Sequence, residues 1–313
     1  MDNITRHPSR QSVLNRLLNR MANNPKLLGL AFILPSLIGF AVFYAVPAIR
    51  SVFISFTKWN LLSDAQYIGL DNYQSIFADE RFWRSLQITI TYVLWNIPLQ
   101  TALAVFVAVI MDRVSQSSLL RGIMILPWLM PNVIVALLFL WILDPTLGIV
   151  NSFLQTIGIG RQGFFGVPEQ AIATVAGVNI WRHMGYTAIL IFAGLKTIPK
   201  SLYEAATVDG AGGWIQFWRI TIPLLRPVLV FVVVTSVIGS FQIFDTIAVA
   251  TGGGPAGATR TIIYYIYQEV FERRINMGTA TAASVVLFLI LVIVTIVQIR
   301  YFRADRSDLA DYS

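Results

Sequence analysis

The chain has no cysteine, so disulfides and thiolate metal sites are excluded, and redox chemistry says nothing about compartment. Charge is scarce too: Asp, Glu, Lys and Arg make up 12% of 313 residues, about half the share usual in soluble domains. No cluster of metal-ligating or nucleophilic side chains appears, which argues against a membrane enzyme. A phosphate-binding loop is also missing. The nearest approach, Gly194 to Ser201, has Pro199 at the second glycine position, where it removes a backbone donor, and it follows an apolar run where a strand is required. Asp245 is the one carboxylate deep in an apolar run, which leaves little for the proton relay of an ion-gradient transporter.

What the chain does have is apolar sequence. A hydrophobic share of 56% and a mean hydropathy of +0.67 mark a membrane protein. Crossing about 30 Å of hydrocarbon takes roughly 20 apolar residues at helical rise. Six runs of that length occur, at 27–49, 86–111, 120–143, 171–195, 224–250 and 279–301. They are continuous and do not alternate, which favours helices over a barrel, and helices satisfy their own backbone in lipid. The expectation is an all-α membrane protein with six transmembrane helices over residues 27–302, between tails at 1–26 and 303–313. The polar connections are too short to hold a soluble domain.

Lysine and arginine fall unevenly on the two sides of those runs, fourteen on the side of both tails and of the 196–223 loop and eight on the other. By the positive-inside rule the N- and C-termini and that loop are cytoplasmic. This bias and anionic lipid headgroups account for the net charge of +7 without a nucleic-acid partner. The first apolar run is longer than a signal-peptide core and sits behind a polar tail, so an uncleaved anchor is expected. In that tail Leu14, Leu17, Leu18 and Met21 recur at helical spacing beside Arg16 and Arg20. That spacing fits an amphipathic surface helix, and a solvated tail fits equally well.

The 196–223 loop carries dense helix signals. Ser201 and Glu204 have capping-box spacing with Pro199 upstream, which predicts a helix starting at Ser201, and Gly210, Gly212 and Gly213 predict its end. A helix of about two turns needs packing or a partner to be stable. Trp214 to Ile220 predicts a second, amphipathic helix along the interface, after which Pro223 turns the chain back into the membrane. So ordered a loop on the charged side reads as a docking surface for a soluble partner. The plainer alternative is an interfacial hairpin rich in Ala and Gly.

Glu204, Ala205, Ala206, Asp209, Gly210 and Ala211, followed at fixed spacing by Ile220 and Pro223, resemble the cytoplasmic coupling loop of bacterial ABC importer permeases. Phe244 and Asp245, followed by Gly252, Gly253, Gly254 and Pro255, resemble the carbohydrate branch of the type I importers, the maltose-transporter type. The resemblance covers nearly the whole chain. It implies the type I permease fold in a bacterial inner membrane, with no catalytic residue, metal or cofactor in this chain. It also implies an ATPase subunit in two copies, which binds ATP and magnesium and receives the Glu204 to Gly210 helix in a groove. A second, homologous permease, an extracytoplasmic solute-binding protein docking near Gly252 to Pro255, and a sugar substrate complete the implied system. Ile222 stands where leucine is usual before Pro223, and the large periplasmic insertion and extra N-terminal helices of some maltose permeases are missing. How near the chain stands to maltose carriers is therefore open, and glycerol phosphate or another polar solute is the alternative. The Gly252 to Pro255 stretch also reads as a plain linker, and the 64–84 loop is a second docking candidate by location.

The substrate path is expected where polar groups interrupt the apolar runs, because an ionisable group at mid-bilayer costs at least about 2.5 kcal/mol unless it faces protein or water. These groups are Asn96 and Gln100 around Pro98, Trp128 and Asn132 beside Pro127 and Pro131, Asn179, Trp181, Arg182, His183 and Tyr186, and Gln242 with Asp245. Amides and the aromatic faces of Trp95, Trp128, Trp181 or Phe241 suit a neutral polyhydroxylated solute, and the positive Arg182 keeps an anionic one open. Structural roles compete. Arg182 has Asp245 or a helix C-terminus as possible partners, His183 reads as a hydrogen-bonded packing residue, and membrane Asn and Gln also serve as interhelical glue worth about 0.6 kcal/mol per bond.

Overall fold

A computed structural model of the protein describes residues 24–114, 117–273 and 275–302. The expectations for the tails, including the spacing from Leu14 to Met21, lie outside the described residues. The chain divides into two units, residues 1–54 and 55–313. In the first, α1 (Pro25–Phe40) and α2 (Val46–Ile54) run on through a π-turn at Ala41–Ala45. Asn24 caps α1 by accepting from the Lys26 amide at 3.1 Å, and Pro25 takes the first turn, where its missing N–H is no loss. The π-turn ends just before Pro47, whose ring and absent donor disturb regular i to i−4 bonding.

The second unit opens with a two-stranded hairpin, β1 (Thr57–Lys58) antiparallel to β2 (Gln66–Tyr67), with Thr57 opposite Tyr67. Helices then follow almost without interruption: α3 (Asp71–Ala78), α4 (Glu80–Val114), α5 (Ser118–Leu129), α6 (Asn132–Ile142), α7 (Ile149–Thr156) and α8 (Pro168–Leu195). After these come α9 (Lys200–Val208), α10 (Gly213–Gln216), α11 (Ile222–Phe241), α12 (Asp245–Ala250), α13 (Ile262–Gln268) and α14 (Met277–Phe302).

Among the described residues, four helical runs are long and apolar enough to cross a membrane: Leu28–Ile54, Glu80–Arg113, Gly213–Ala250 and Met277–Phe302. The run expected at 120–143 is not straight. It breaks into α5 and α6 with a bend of 93°. Pro131 lacks a donor and biases Met130 out of the helical region, and both residues are extended, with ψ of 140° and 138°. The run expected at 171–195 is α8, which is long enough to cross at 28 residues but is interrupted by Asn179, Arg182 and His183. Its polarity is tolerated because protein encloses it. Twelve of its residues are buried, packed against α4, α5 and α11. Gly185 lies against the Met124 carbonyl of α5, where a side chain has no room.

α4 sets the frame for the functional surfaces. Near its start, the Arg84 guanidinium donates to the Ala256 carbonyl at 3.4 Å, and Thr89 Oγ1 accepts from the Ile262 amide at 2.9 Å. At its far end, Asp112 pairs with Lys196 at 2.7 Å. The loop around Gly252 to Pro255 and the loop after α8 therefore sit at opposite ends of α4, roughly 40 Å apart at 1.5 Å per residue.

Candidate functional site

Midway along α4, a cavity of about 310 Å³ opens between α4, α5, α8 and α11. Nine of the eleven residues expected on the substrate path line it: Asn96, Gln100, Trp128, Asn132, Asn179, His183, Tyr186, Gln242 and Asp245. Trp128 and Tyr186 stack face to face, with ring centroids 4.6 Å apart. Asn132 Nδ2 donates to Asp245 Oδ2 at 2.6 Å, joining the start of α6 to the start of α12. Asn132 reaches this position because the bend at Pro131 makes it the first residue of a new helix. Asp245 does so because the chain also breaks between α11 and α12, at Gln242 to Phe244.

Asn96 and Gln100 are buried, one helical turn apart, and hydrogen-bonded to each other at 3.4 Å. Asn96 Nδ2 also donates to Ser240 Oγ at 3.0 Å, and Gln100 Nε2 to Thr187 Oγ1 at 3.0 Å. Asn179 donates to Tyr92 and, at 3.3 Å, to Asn96 Oδ1. These amides thus tie α4, α8 and α11 together at the cavity floor, as buried polar groups must when no water reaches them.

Two expected path residues stay off the cavity. Trp181 turns outward and packs edge-on against Phe139 at 5.1 Å. Arg182 reaches instead to the end of α5, where the break at Pro131 has freed carbonyls. It donates through Nη2 to the Trp128 and Met130 carbonyls, at 3.0 and 2.9 Å, and through Nε to Met130 at 3.3 Å. A guanidinium at a helix C-terminus satisfies orphan acceptors and complements the dipole. Of the other aromatic candidates, Phe241 is buried in the apolar core and Trp95 is exposed away from the cavity.

The loop after α8 forms a compact outward-facing knob. α9 begins at Lys200 with Pro199 at the N-cap position, and no side chain caps it. The expected capping box is therefore not formed, because Ser201 lies one residue inside the helix. The C-terminus closes as expected. Gly210, at φ +79°, lets the Ala211 amide donate to the Ala206 carbonyl at 2.8 Å and its own amide donate to Thr207 at 3.0 Å. This double bond pattern is a Schellman motif, and glycine reaches the left-handed region without strain. Leu202 and Tyr203 pack inward against the core cluster that includes Leu195, Ile198 and Leu225, and Gln216 Nε2 donates to Thr207 Oγ1 at 3.0 Å. Glu204, Ala205, Asp209 and Gly210 are left exposed, while Ala206 and Ala211 are half-buried. The second helix is not separate: α10 continues through a π-turn at Phe217–Thr221 into α11, and Pro223 is absorbed in the first turn.

At the other end, Gly252, Gly253 and Gly257 adopt φ between +54° and +77°. The loop is pinned, not loose. Thr259 is fully buried, donates to the Gly254 carbonyl at 2.7 Å and lies 2.7 Å from Thr251 Oγ1. Gly253 is buried under Tyr264, whose ring leaves no room for a Cβ, and Gly252 stays exposed. Tyr264 donates to Glu272 Oε1 at 3.0 Å, and burial, with that carboxylate beside it, pushes its hydroxyl up to about 12.

Residues 100–306 match the model of the family described as the binding-protein-dependent transport system inner membrane component. The chain belongs to that family. It is 34% identical, over 89% of this chain and 91% of the relative, to a probable ABC transporter permease protein of Bacillus subtilis. It is 30% identical to the trehalose/maltose transport system permease protein of Thermococcus litoralis, over 93% and 99% of the two chains. Among solved structures, a bacterial alginate ABC transporter in complex with an alginate pentasaccharide-bound periplasmic protein aligns at a TM-score of 0.80 with 26% identity, covering 94% and 99%. The chain is accordingly an inner-membrane permease subunit of an ABC importer, with the type I fold of these relatives.

Sequence reasoning missed several groups that line the permease cavity, namely Thr187, Thr235, Ser236 and Ser240. Thr235, Ser236 and Ser240, with Gly239 beside the last, in the otherwise apolar half of α11 after Pro227, were the available signal. His183 lines the cavity and is also held on both sides. Its Nδ1 lies 3.0 Å from the Asn179 carbonyl and its Nε2 3.0 Å from Arg182 Nη1.

Arg182 matters to the permease through the helix break it closes. Arg182→Met strands the Trp128 and Met130 carbonyls, each worth about 1–3 kcal/mol when a buried polar group loses its partner. The melting temperature of the purified permease is expected to fall by roughly 5 °C or more, read by thermal unfolding in detergent. Arg182→Lys recovers only part of the loss, because a point charge cannot serve both carbonyls as the planar fork does.

Proposed function

We propose that this chain is one transmembrane half of an ATP-driven importer that passes a mono-, di- or oligosaccharide from an extracytoplasmic binding protein to the cytoplasm. The observation that carries the proposal is the pairing, on one long helix, of a polar cavity at mid-length with an exposed, glycine-closed helix at its end. In this reading the chain crosses the membrane six times with both termini in the cytoplasm, α8 and the bent α5–α6 pair being the two crossings of lower apolarity. Two copies of an ATPase subunit bind ATP and magnesium. One of them receives the surface of Glu204, Ala205, Ala206, Asp209, Gly210 and Ala211, and its closure rocks the helices around the cavity. A second permease supplies the other coupling position and the facing wall. The chain itself catalyses nothing.

Support for a sugar comes from the wall chemistry and from relatives. Amides, hydroxyls and the stacked Trp128–Tyr186 pair suit a ring bearing hydroxyl groups. The relatives are named for trehalose and maltose, for sulfoquinovosyl glycerol and for sn-glycerol-3-phosphate, and the solved relative for alginate. Gly252, Gly253, Gly254 and Pro255, in the pinned loop at the other end of α4, are the proposed landing point of the binding protein.

The test is isolation of the tagged chain from its native membrane in mild detergent, with mass spectrometry of the proteins that follow it. An ATPase subunit, a second permease and a solute-binding protein are expected. Recovery of the chain alone, still folded and still transporting, would overturn the proposal in favour of an ion-gradient carrier.

A further inference from the structure

We infer that α11 is the wall of the mid-length cavity that moves when the 196–223 loop is driven, and that Tyr203 is the positioning residue that carries the movement to it. The inference rests on the importer reading above and adds the route inside this chain. Tyr203 points inward from α9, beside the exposed Glu204. Its hydroxyl lies 2.9 Å from Thr221 Oγ1. Thr221, buried at the end of the π-turn that leads into α11, donates in turn to the Gln216 carbonyl at 3.4 Å. With the threonine hydrogen so used, Tyr203 is the donor to Thr221. Gln216 closes the link from the other side, its Nε2 donating to Thr207 Oγ1 and, at 2.9 Å, to the Ala211 carbonyl. The knob and the start of α11 are thus joined as one piece.

That piece faces the end of α4 across a cavity of about 330 Å³, with Val109 and Arg113 on one side and Tyr203, Gln216 and Thr221 on the other. α4 and α8, by contrast, are fastened along their length. Asn179 donates to Tyr92 and Asn96, Gln100 donates to Thr187, and Lys196, just past α8, pairs with Asp112. Trp128 of α5 joins the same frame through its stack on Tyr186 of α8. Among the described residues, a single side-chain hydrogen bond ties α11 to this frame, from Asn96 to Ser240. A push on α9 therefore enters α11 at Thr221, and α11 carries Thr235, Ser236 and Ser240 in the cavity wall.

Because the chain has no cysteine, Ser236→Cys gives α11 one bimane label at the cavity, where Trp128 of the frame quenches it. The importer is assembled with its own partner subunits, and the same complex with the unsubstituted chain supplies the labelling background. Emission is read before and after addition of magnesium ATP with vanadate, and the part that disappears in Trp128→Phe is the signal. Nucleotide is expected to change that signal. Tyr203→Phe and Thr221→Val should each shrink the change at least about twofold, and the double variant no further than the larger single effect. Thr221→Ser, which keeps the hydroxyl, should retain it. The cycle is the diagnostic quantity, because a merely structural role for Tyr203 would persist in Thr221→Val and add to its effect. An unchanged signal in a complex that traps nucleotide, a full change in Tyr203→Phe, a lost one in Thr221→Ser, or additive effects overturns the inference. Failure of both Tyr203→Phe and Thr221→Val to assemble assigns the bond to folding and overturns it as well. A wild-type chain that assembles with no ATPase subunit refutes instead the importer reading beneath it.

Discussion

Gly185→Leu is expected to abolish recovery of folded permease. Gly185 faces α5 across a close helix contact, and a Cβ there runs into the backbone carbonyl of Met124. Overpacking costs about 1–3 kcal/mol where neighbouring side chains can move aside, but here the obstacle is main chain, so the helices themselves must part. Small residues at such crossings are what allow membrane helices to approach closely. Separation would also pull α5, and Trp128 with it, out of the cavity wall. Size-exclusion chromatography of solubilised protein should show aggregate for Gly185→Leu and a destabilised but monodisperse species for Gly185→Ala. Gly177→Ala, on the same helix with nothing within 4 Å, is the control and should behave as wild type. A folded, normally melting Gly185→Leu would mean that α5 and α8 do not meet as described.

Gly210→Val is expected to abolish transport while leaving the permease folded. Gly210 is exposed and touches nothing within 4 Å, so no packing is lost. Its φ of +79° is a conformation that costs L-residues about 1–2 kcal/mol, more for a β-branched one, so valine should unwind the turn that closes α9. The exposed positions from Glu204 to Asp209 would then lose their fixed presentation. In the assembled importer, uptake and substrate-stimulated ATP hydrolysis should fall at least about tenfold, the equivalent of 1.4 kcal/mol or more in coupling. Gly210→Asn should retain much of both, because asparagine tolerates the left-handed region. Gly212→Ala, at an ordinary φ of −68° with open space around it, should be silent. Full transport by Gly210→Val would remove the 204–211 surface from the coupling path.

The helix signals of the chain were legible to different depths. Gly210 announced the end of α9 because only glycine takes that conformation cheaply, and the neighbouring carbonyls found the expected donors. Ser201 and Glu204 have capping-box spacing, but Pro199 already supplies an extended residue ahead of the first turn, so the helix starts at Lys200 and the motif goes unused. Pro223 reads as a breaker, yet a π-turn before it absorbs the missing donor and the helix continues. Pro131 reads as a kink and proves to be a bend of 93°, because the residue ahead of it is forced to extend as well.

The sequence alone determined that this is a helical membrane protein, that its polar residues concentrate in a few places along apolar runs, and that its 196–223 loop carries the pattern of a coupling surface. It could do so because hydropathy, helical period and glycine conformation act over a few residues at a time. Only the tertiary structure decided which polar groups face the cavity. Trp181, Arg182 and His183 are consecutive, yet the helix turns Trp181 outward, the broken end of α5 captures Arg182, and His183 is left at the cavity wall between Arg182 and a carbonyl. Direction around a helix and the partners waiting there depend on neighbours more than fifty residues away, and no local pattern encodes them.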